Sequence, residues 1–138
     1  MRRRSIVILL VGGTAAAALA APASAHHSFA AEFSLDRPVE LKGTITKVEW
    51  VNPHSWFYLE VVGDDGEPVV WMVEGGSPNA LIRRGVTAQS VPPGIEVTVE
   101  GYQARDGSHI AVGRSFLLGN GERLFLGGSA ENLPAAAD

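Results

Sequence analysis

The sequence predicts an all-β domain with one short helix. Three observations carry that prediction. Segments rich in β-branched residues alternate with glycine- and proline-bearing turns. A single helix start, Ser77-Pro78, falls between the third and fourth strand candidates. No internal repeat or heptad is present. Three strands, one helix, then two strands or slightly more is the order of an OB-fold-like five-stranded Greek-key barrel. Closure would also remove exposed sheet edges from so small a protein. A β-sandwich needs about seven strands, which are hard to find here.

Pro38 opens the first strand, Val39 to Val51, with Val39, Thr44, Ile45, Thr46, Val48 and Val51 as its β-branched residues. Asn52-Pro53-His54 breaks it, because proline removes a donor and restricts the residue before it. The second strand runs from about Ser55 to Val62, and Gly63-Asp64-Asp65-Gly66 turns it into a third, about Pro68 to Glu74. Gly75-Gly76 releases the chain. Ser77 is the expected N-cap and Pro78 the first helical residue; Leu81 and Ile82 form the apolar side, and Gly85 ends the helix. Thr87 to Ser90 reads as one further turn. Pro92-Pro93-Gly94 leads into the fourth strand, Ile95 to Tyr102, where Ile95, Val97 and Val99 alternate with Glu96, Thr98 and Glu100. Arg105-Asp106-Gly107-Ser108 turns into a fifth strand, His109 to Leu118. Asn120-Gly121 is a last hairpin signal before Leu124-Phe125-Leu126.

Ahead of the strands stand a basic head, Met1-Arg2-Arg3-Arg4, an apolar run from Ile6 to Ala21, and a small-x-small site, Ala23-Ser24-Ala25. These are the parts of a secretory signal peptide. Gly12, Gly13 and Thr14 interrupt the apolar run, which is a poor spanning helix because a span needs about 20 strongly apolar residues. The expected organisation is a signal peptide over 1–25, a lead segment over 26–38, the barrel over 39–128 and a disordered tail over 129–138. The expected destination is the periplasm, with no membrane attachment after cleavage.

Removing 25 of the 138 residues leaves enough chain for one domain with its own core. The net charge is −4, and the signal takes three arginines and no acid with it. That balance argues against a nucleic-acid partner and against docking on anionic lipid. There is no cysteine, which excludes disulfides, thiolate zinc sites, iron–sulfur clusters and a cysteine nucleophile.

Three segments carry a resemblance: His26-His27-Ser28-Phe29-Ala30-Ala31-Glu32-Phe33, Trp50-Val51-Asn52-Pro53-His54-Ser55-Trp56, and Gly76-Ser77-Pro78-Asn79-Ala80-Leu81. Together they resemble a family of small exported bacterial proteins of unknown function that share an HHSFAAEF opening and an NPHSW turn. The resemblance implies a single periplasmic domain and supplies no activity.

Cleavage after Ala25 would make His26 the mature N-terminus. A terminal amine (pKa about 7.7–8.0) and imidazole (about 6.5) can both give up protons to a metal near neutral pH. His26, His27 and His54 are therefore the candidate metal ligands. An all-nitrogen set without thiolate suits copper best, then nickel or zinc. The arrangement resembles the histidine brace of copper monooxygenases and of some periplasmic copper carriers, although those are built on immunoglobulin-like sandwiches. In the alternative, His26 and His27 are a leader and His54 is a turn residue that packs on Trp56 or caps a carbonyl. His109 reads as a surface strand-start residue.

Alternation in the second strand puts Phe57, Leu59 and Val61 on a core face and Trp56, Tyr58 and Glu60 on the other. Trp56 and Tyr58, extended by Trp71, form a candidate aromatic platform for a small ligand, glycan or peptide. The competing expectation is that Trp50, Trp56 and Trp71 close the barrel ends. Glu49, Glu60 and Glu74 lie near strand ends, where glutamates are mostly solvated. Asp64-Asp65-Gly66 lacks the downstream ligands of a calcium loop. Gly75-Gly76-Ser77 offers a helix N-terminus for an anion, but no lysine or nucleotide motif follows. No serine stands in a nucleophile-elbow pattern. The sequence thus points to a binder rather than an enzyme. A copper-binding protein comes first and the aromatic binding module is the alternative; a copper-dependent oxidase comes last.

Overall fold

The computed structural model describes residues 29–133. Six strands form one sheet in the order β3-β2-β1-β4-β5-β6. They are β1 (Phe33–Glu49), β2 (Trp56–Val62), β3 (Pro68–Glu74), β4 (Glu96–Ala104), β5 (Ile110–Leu118) and β6 (Arg123–Phe125). A short helix, α1 (Pro78–Arg83), lies between β3 and β4, and a 3-10 turn spans Gly128–Ala130. All neighbouring pairs are antiparallel. One further pairing is parallel: Met72, Val73 and Glu74 of β3 run beside Ile110, Ala111 and Val112 of β5. That pairing closes strands β1 to β5 into a ring.

β1 makes the ring possible by serving two partners. Its first part pairs with β4 from Phe33 to Thr44, and its last part pairs with β2 from Gly43 to Glu49. The handover falls at Gly43, where a Cβ would stand 2.3 Å from the carbonyl oxygen of Glu60. Glycine is needed there for close backbone approach, not for an unusual φ. A bulge between Ile45 and Lys47 then resets the alternation, so that Ile45 and Val48 both face inward opposite Leu59 and Phe57.

The interior of the ring is apolar. Ile45, Phe57, Leu59, Val73, Val97, Val99 and Phe116 are buried, and the helix adds Leu81 as a plug. The Phe57 and Phe116 rings meet edge to face at 4.9 Å, a geometry that contributes about 0.5–1.5 kcal/mol beyond area burial. The core faces of the second and fourth strands are those the alternation predicts. Pro78 occupies the first turn of the helix as expected, but the Ser77 side chain makes no capping bond. Gly85 ends the helix with φ +81°.

Two terminal stretches pack onto the ring. The lead is not separate from the sheet: residues 29–32 are helical and β1 begins at Phe33, six residues before Val39. The start of the expected tail is also packed, and Ala130 is fully buried. Both stretches cover the outer face of the ring. Phe29, Phe33, Tyr102, Ala104, Val112 and Ala130 form a second small core there, with Ile110 and Leu133 at its margin. Alternation along β4 sets Tyr102 and Ala104 on the face opposite Val97 and Val99, and the irregularity between Glu100 and Gly101 lets Val112 of β5 join them although it shares the parity of Phe116. Residues 26–28 and 134–138 of the expected lead and tail, and the whole expected signal peptide, lie outside the described residues.

Candidate functional site

The site lies at the end of the ring where the β1–β2 turn, the end of β3 and both terminal stretches converge. The turn owes its shape to Asn52-Pro53, whose peptide bond is cis. It owes its position to Ser55, whose backbone N–H donates to the Gly76 carbonyl (3.0 Å) and whose carbonyl accepts from the Gly75 N–H (2.9 Å). These bonds continue the β2–β3 ladder past the Trp56–Glu74 pair. His54 is thereby brought beside Glu74.

His54 Nδ1 lies 2.9 Å from Oε1 of Glu74. That nitrogen is shielded from solvent and has no aligned hydrogen-bond partner, so the contact is a close but oblique approach. About a third of the imidazole side chain remains exposed, whereas that of Glu74 is only 5% exposed. Ser129 Oγ donates to the same Oε1 at 3.0 Å. Burial pushes the Glu74 carboxyl above its ordinary range; the neighbouring His54 and the Ser129 hydroxyl pull it back in part, and the charge of Glu32 adds to the upward push.

A cleft of about 310 Å³ opens over this pair, lined by Glu32, Asn52, Pro53, His54, Trp56, Glu74 and Ser129 among others. A second of about 320 Å³ adjoins it, sharing Glu32 and Trp56 and adding Phe33, Arg105, Asp106 and Ser108. The lead is fastened at this wall by its backbone: Arg105 N–H donates to the Glu32 carbonyl (2.9 Å) and Arg105 Nε to the Ala30 carbonyl (2.7 Å). Glu32, the last helical residue of the lead, therefore faces the same cleft as His54.

Of the residues singled out from sequence, His54 and Trp56 come together in this cleft. His26 and His27 lie outside the described residues. Tyr58 is outward, but its hydroxyl donates to Glu49 Oε2 (3.1 Å) and the Lys47 ammonium sits 4.9 Å over its ring. The hairpin register pairs Trp71 with Leu59, so it faces the core, partly buried, on the side opposite to Trp56 and Tyr58. Its ring lies 5.0 Å from that of His109, far along β3 from Glu74. Gly75-Gly76 is the turn between β3 and α1. Gly76 N–H already donates to the Leu126 carbonyl (2.8 Å), and a Cβ at Gly76 would meet that oxygen at 2.9 Å. The glycines admit the strand end, not a ligand.

Glu74 is the residue whose role the sequence understates. It is a strand-end glutamate on the nominally solvated face, yet it is buried, and Ser129, far away in the chain, donates to its carboxylate. Ser129 and Glu32 carry no local signal at all. Among the described residues, no three His, Asp or Glu side chains stand close enough to hold a metal ion by themselves. The cleft offers one imidazole and two carboxylates at its walls, and a metal held there would need donors from elsewhere in the chain. No helix among the described residues is long and apolar enough to cross a membrane.

Comparison with curated proteins returns no match. A family model does match, over residues 15–113, a stretch that contains Glu32, His54, Trp56 and Glu74 and stops short of Ser129. The chain belongs to DUF6152, a family of unknown function.

Proposed function

We propose that this chain is an exported, periplasmic metal-binding protein, with copper as the favoured ion, and that His54 and the lead histidines His26 and His27 are its ligands. The observation that supports this reading is the shared cleft. Glu32 and His54 line one wall system, and His27 precedes Glu32 by only five residues, a tether of at most about 18 Å when fully extended. Docking of the lead would lower the ordering cost of bringing those histidines to His54. The nitrogen-rich donor set favours copper over the harder divalent ions. In the same reading the ring of strands is an OB-fold barrel: its strand order, its parallel β3–β5 closure and its helix after β3 all support that assignment.

The test has two parts. Export of the full chain from a bacterium, followed by mass and N-terminal sequencing of the periplasmic product, should return His26 as the first residue. Titration of that product with Cu(II) should give a nitrogen-dominated spectrum, weakening below about pH 6 as imidazole and amine take up protons. His54→Ala or one extra residue ahead of His26 should weaken binding; His109→Ala should not. An uncut anchor, or equal affinity in all four proteins, refutes the proposal.

One observation favours a second reading. Trp56 lines both adjoining clefts, which would suit a small organic ligand, glycan or peptide stacked on its indole. Metal-independent quenching of tryptophan fluorescence by such a ligand, lost in Trp56→Ala, would favour it.

A further inference from the structure

Three residues distant in sequence meet at one oxygen. Oε1 of Glu74 receives the Ser129 hydroxyl at 3.0 Å and stands 2.9 Å from His54 Nδ1. Glu74 comes from the end of β3, Ser129 from the 3-10 turn near the C-terminus, and His54 from the β1–β2 turn. The carboxylate is buried, and the Nδ1 edge of the imidazole is shielded with it. About a third of the His54 side chain is exposed and borders the 310 Å³ cleft, and Nε2 lies on the ring away from the shielded Nδ1 edge.

We propose that Glu74 and Ser129 are positioning residues for His54: they hold the proton on Nδ1 and leave the Nε2 lone pair turned to the cleft. A neutral imidazole carries one N–H and one lone pair, and the partner of one nitrogen decides the state of the other. An ionised carboxylate only accepts, so a nitrogen facing it must donate. Adjustment about χ2, a broad torsion in histidine, is the motion that aligns Nδ1–H with the carboxylate. Ser129 donates to the same oxygen and restrains the carboxylate. The inference rests on the metal reading for its purpose, because an outward Nε2 is what a metal ion requires and a carboxylate behind the ring raises its basicity. The C-terminal turn, expected from sequence to be part of a disordered tail, thus becomes a component of the site.

The tautomer can be read without any metal. Nitrogen-15 NMR of the full exported protein at about pH 8, where free imidazole is neutral, should show His54 with its proton on Nδ1. In Glu74→Ala the two tautomers should mix, and Ser129→Ala should move the signal in the same direction by less. Glu74→Gln keeps an acceptor oxygen and the side-chain volume, so it should fold and retain most of the Nδ1–H form. Cu(II) affinity should fall about 10–100-fold in Glu74→Ala and by less in Glu74→Gln. A proton on Nε2 in the unaltered protein overturns the inference. So does an unchanged tautomer in all three variants, or unchanged copper affinity despite a mixed tautomer. A fixed Nδ1–H form in a protein that binds no copper upholds the positioning and refutes the metal reading alone.

Discussion

The rings of Phe29 and Phe33 stack 5.8 Å apart and 29° from parallel, and Phe29 in turn meets Tyr102 edge-on at 6.0 Å. This pair converts a polar lead into part of the fold. Phe33 is 2% exposed, so Phe33→Ala removes a fully packed ring from the second core and should destabilise the protein by about 3–5 kcal/mol. The loss should not stop at stability. Glu32 neighbours Phe33 and forms a wall of both clefts, so whatever ligand uses them should bind more weakly at a temperature where the variant is still folded. Urea unfolding followed by tryptophan fluorescence reads the first effect, and a binding titration reads the second. An unchanged urea midpoint would show that the lead contributes nothing to the fold.

Gly43 is the hinge at which β1 changes partners. Its Cβ position is blocked by a backbone oxygen, Glu60 O at 2.3 Å, with the Val61 side chain at 3.0 Å. Neither the carbonyl nor the strand that carries it can move without breaking the β1–β2 ladder. Gly43→Ala should therefore cost about 1–3 kcal/mol, in the range of overpacked cores, although alanine is ordinarily the better strand residue by a fraction of that. Denaturant unfolding checks it, and a stabilised variant would place the handover elsewhere.

Much of this architecture can be read from sequence, because its signals are local. The turn glycines Gly66, Gly94, Gly107 and Gly121 all adopt positive φ, the conformation that their positions after Asp, Pro or Asn announce. Pro78 starts the helix, and the alternations in β2 and β4 point their apolar residues inward. The failures are non-local. The sequence leaves the face of Trp71 open between a platform beside Trp56 and closure of the barrel, because one step of register exchanges the two faces of a strand; the Gly63–Gly66 hairpin sets the register in which Leu59 is its partner. The bulge after Ile45 leaves no trace in composition. Glu74 reads as solvated because its strand alternation puts it outside the ring. One of its partners is Ser129, 55 residues away. His54 could be singled out because proline and aromatics surround it in sequence, whereas its partners could not.

A partly buried carboxylate gives a pH dependence of defined sign. Glu100 on β4 receives Arg123 of β6 (2.6 Å) and the Ser115 hydroxyl of β5 (3.1 Å), so it ties three strands together. The Arg123 hydrogen bond holds its carboxyl below the ordinary range; burial opposes that shift, and Ser115 and the charge of Arg114 reinforce it. A carboxyl lowered in the folded state binds its proton more readily when unfolded. Its contribution is complete above the unfolded pKa and is lost as pH falls through the folded one. Glu100→Gln should thus be less stable than the parent at neutral pH. Its urea midpoint should also fall less steeply than the parent's between about pH 5 and pH 3. Parallel midpoint curves for the two proteins would remove Glu100 from the acid response.

Trp56 and Trp71 sit on opposite faces of the same strand pair, so their substitution should separate fold from function. Trp71 packs against the ring interior beside Leu59. Trp71→Ala should cost about 2–3 kcal/mol, toward the low end for aromatic truncations because the ring is only partly buried. Trp56 projects outward and lines both clefts. Trp56→Ala should cost about 1 kcal/mol, the common value for a substitution that leaves no core cavity. Its effect on binding should be the larger of the two, because it removes the wall shared by the two clefts. If copper binding survives Trp56→Ala while quenching by an organic ligand is lost, the metal and stacking readings describe separate uses of neighbouring surfaces. If Trp71→Ala abolishes ligand binding at unchanged stability, the inward placement of Trp71 is wrong, and the aromatic platform on β2 and β3 returns as the better account.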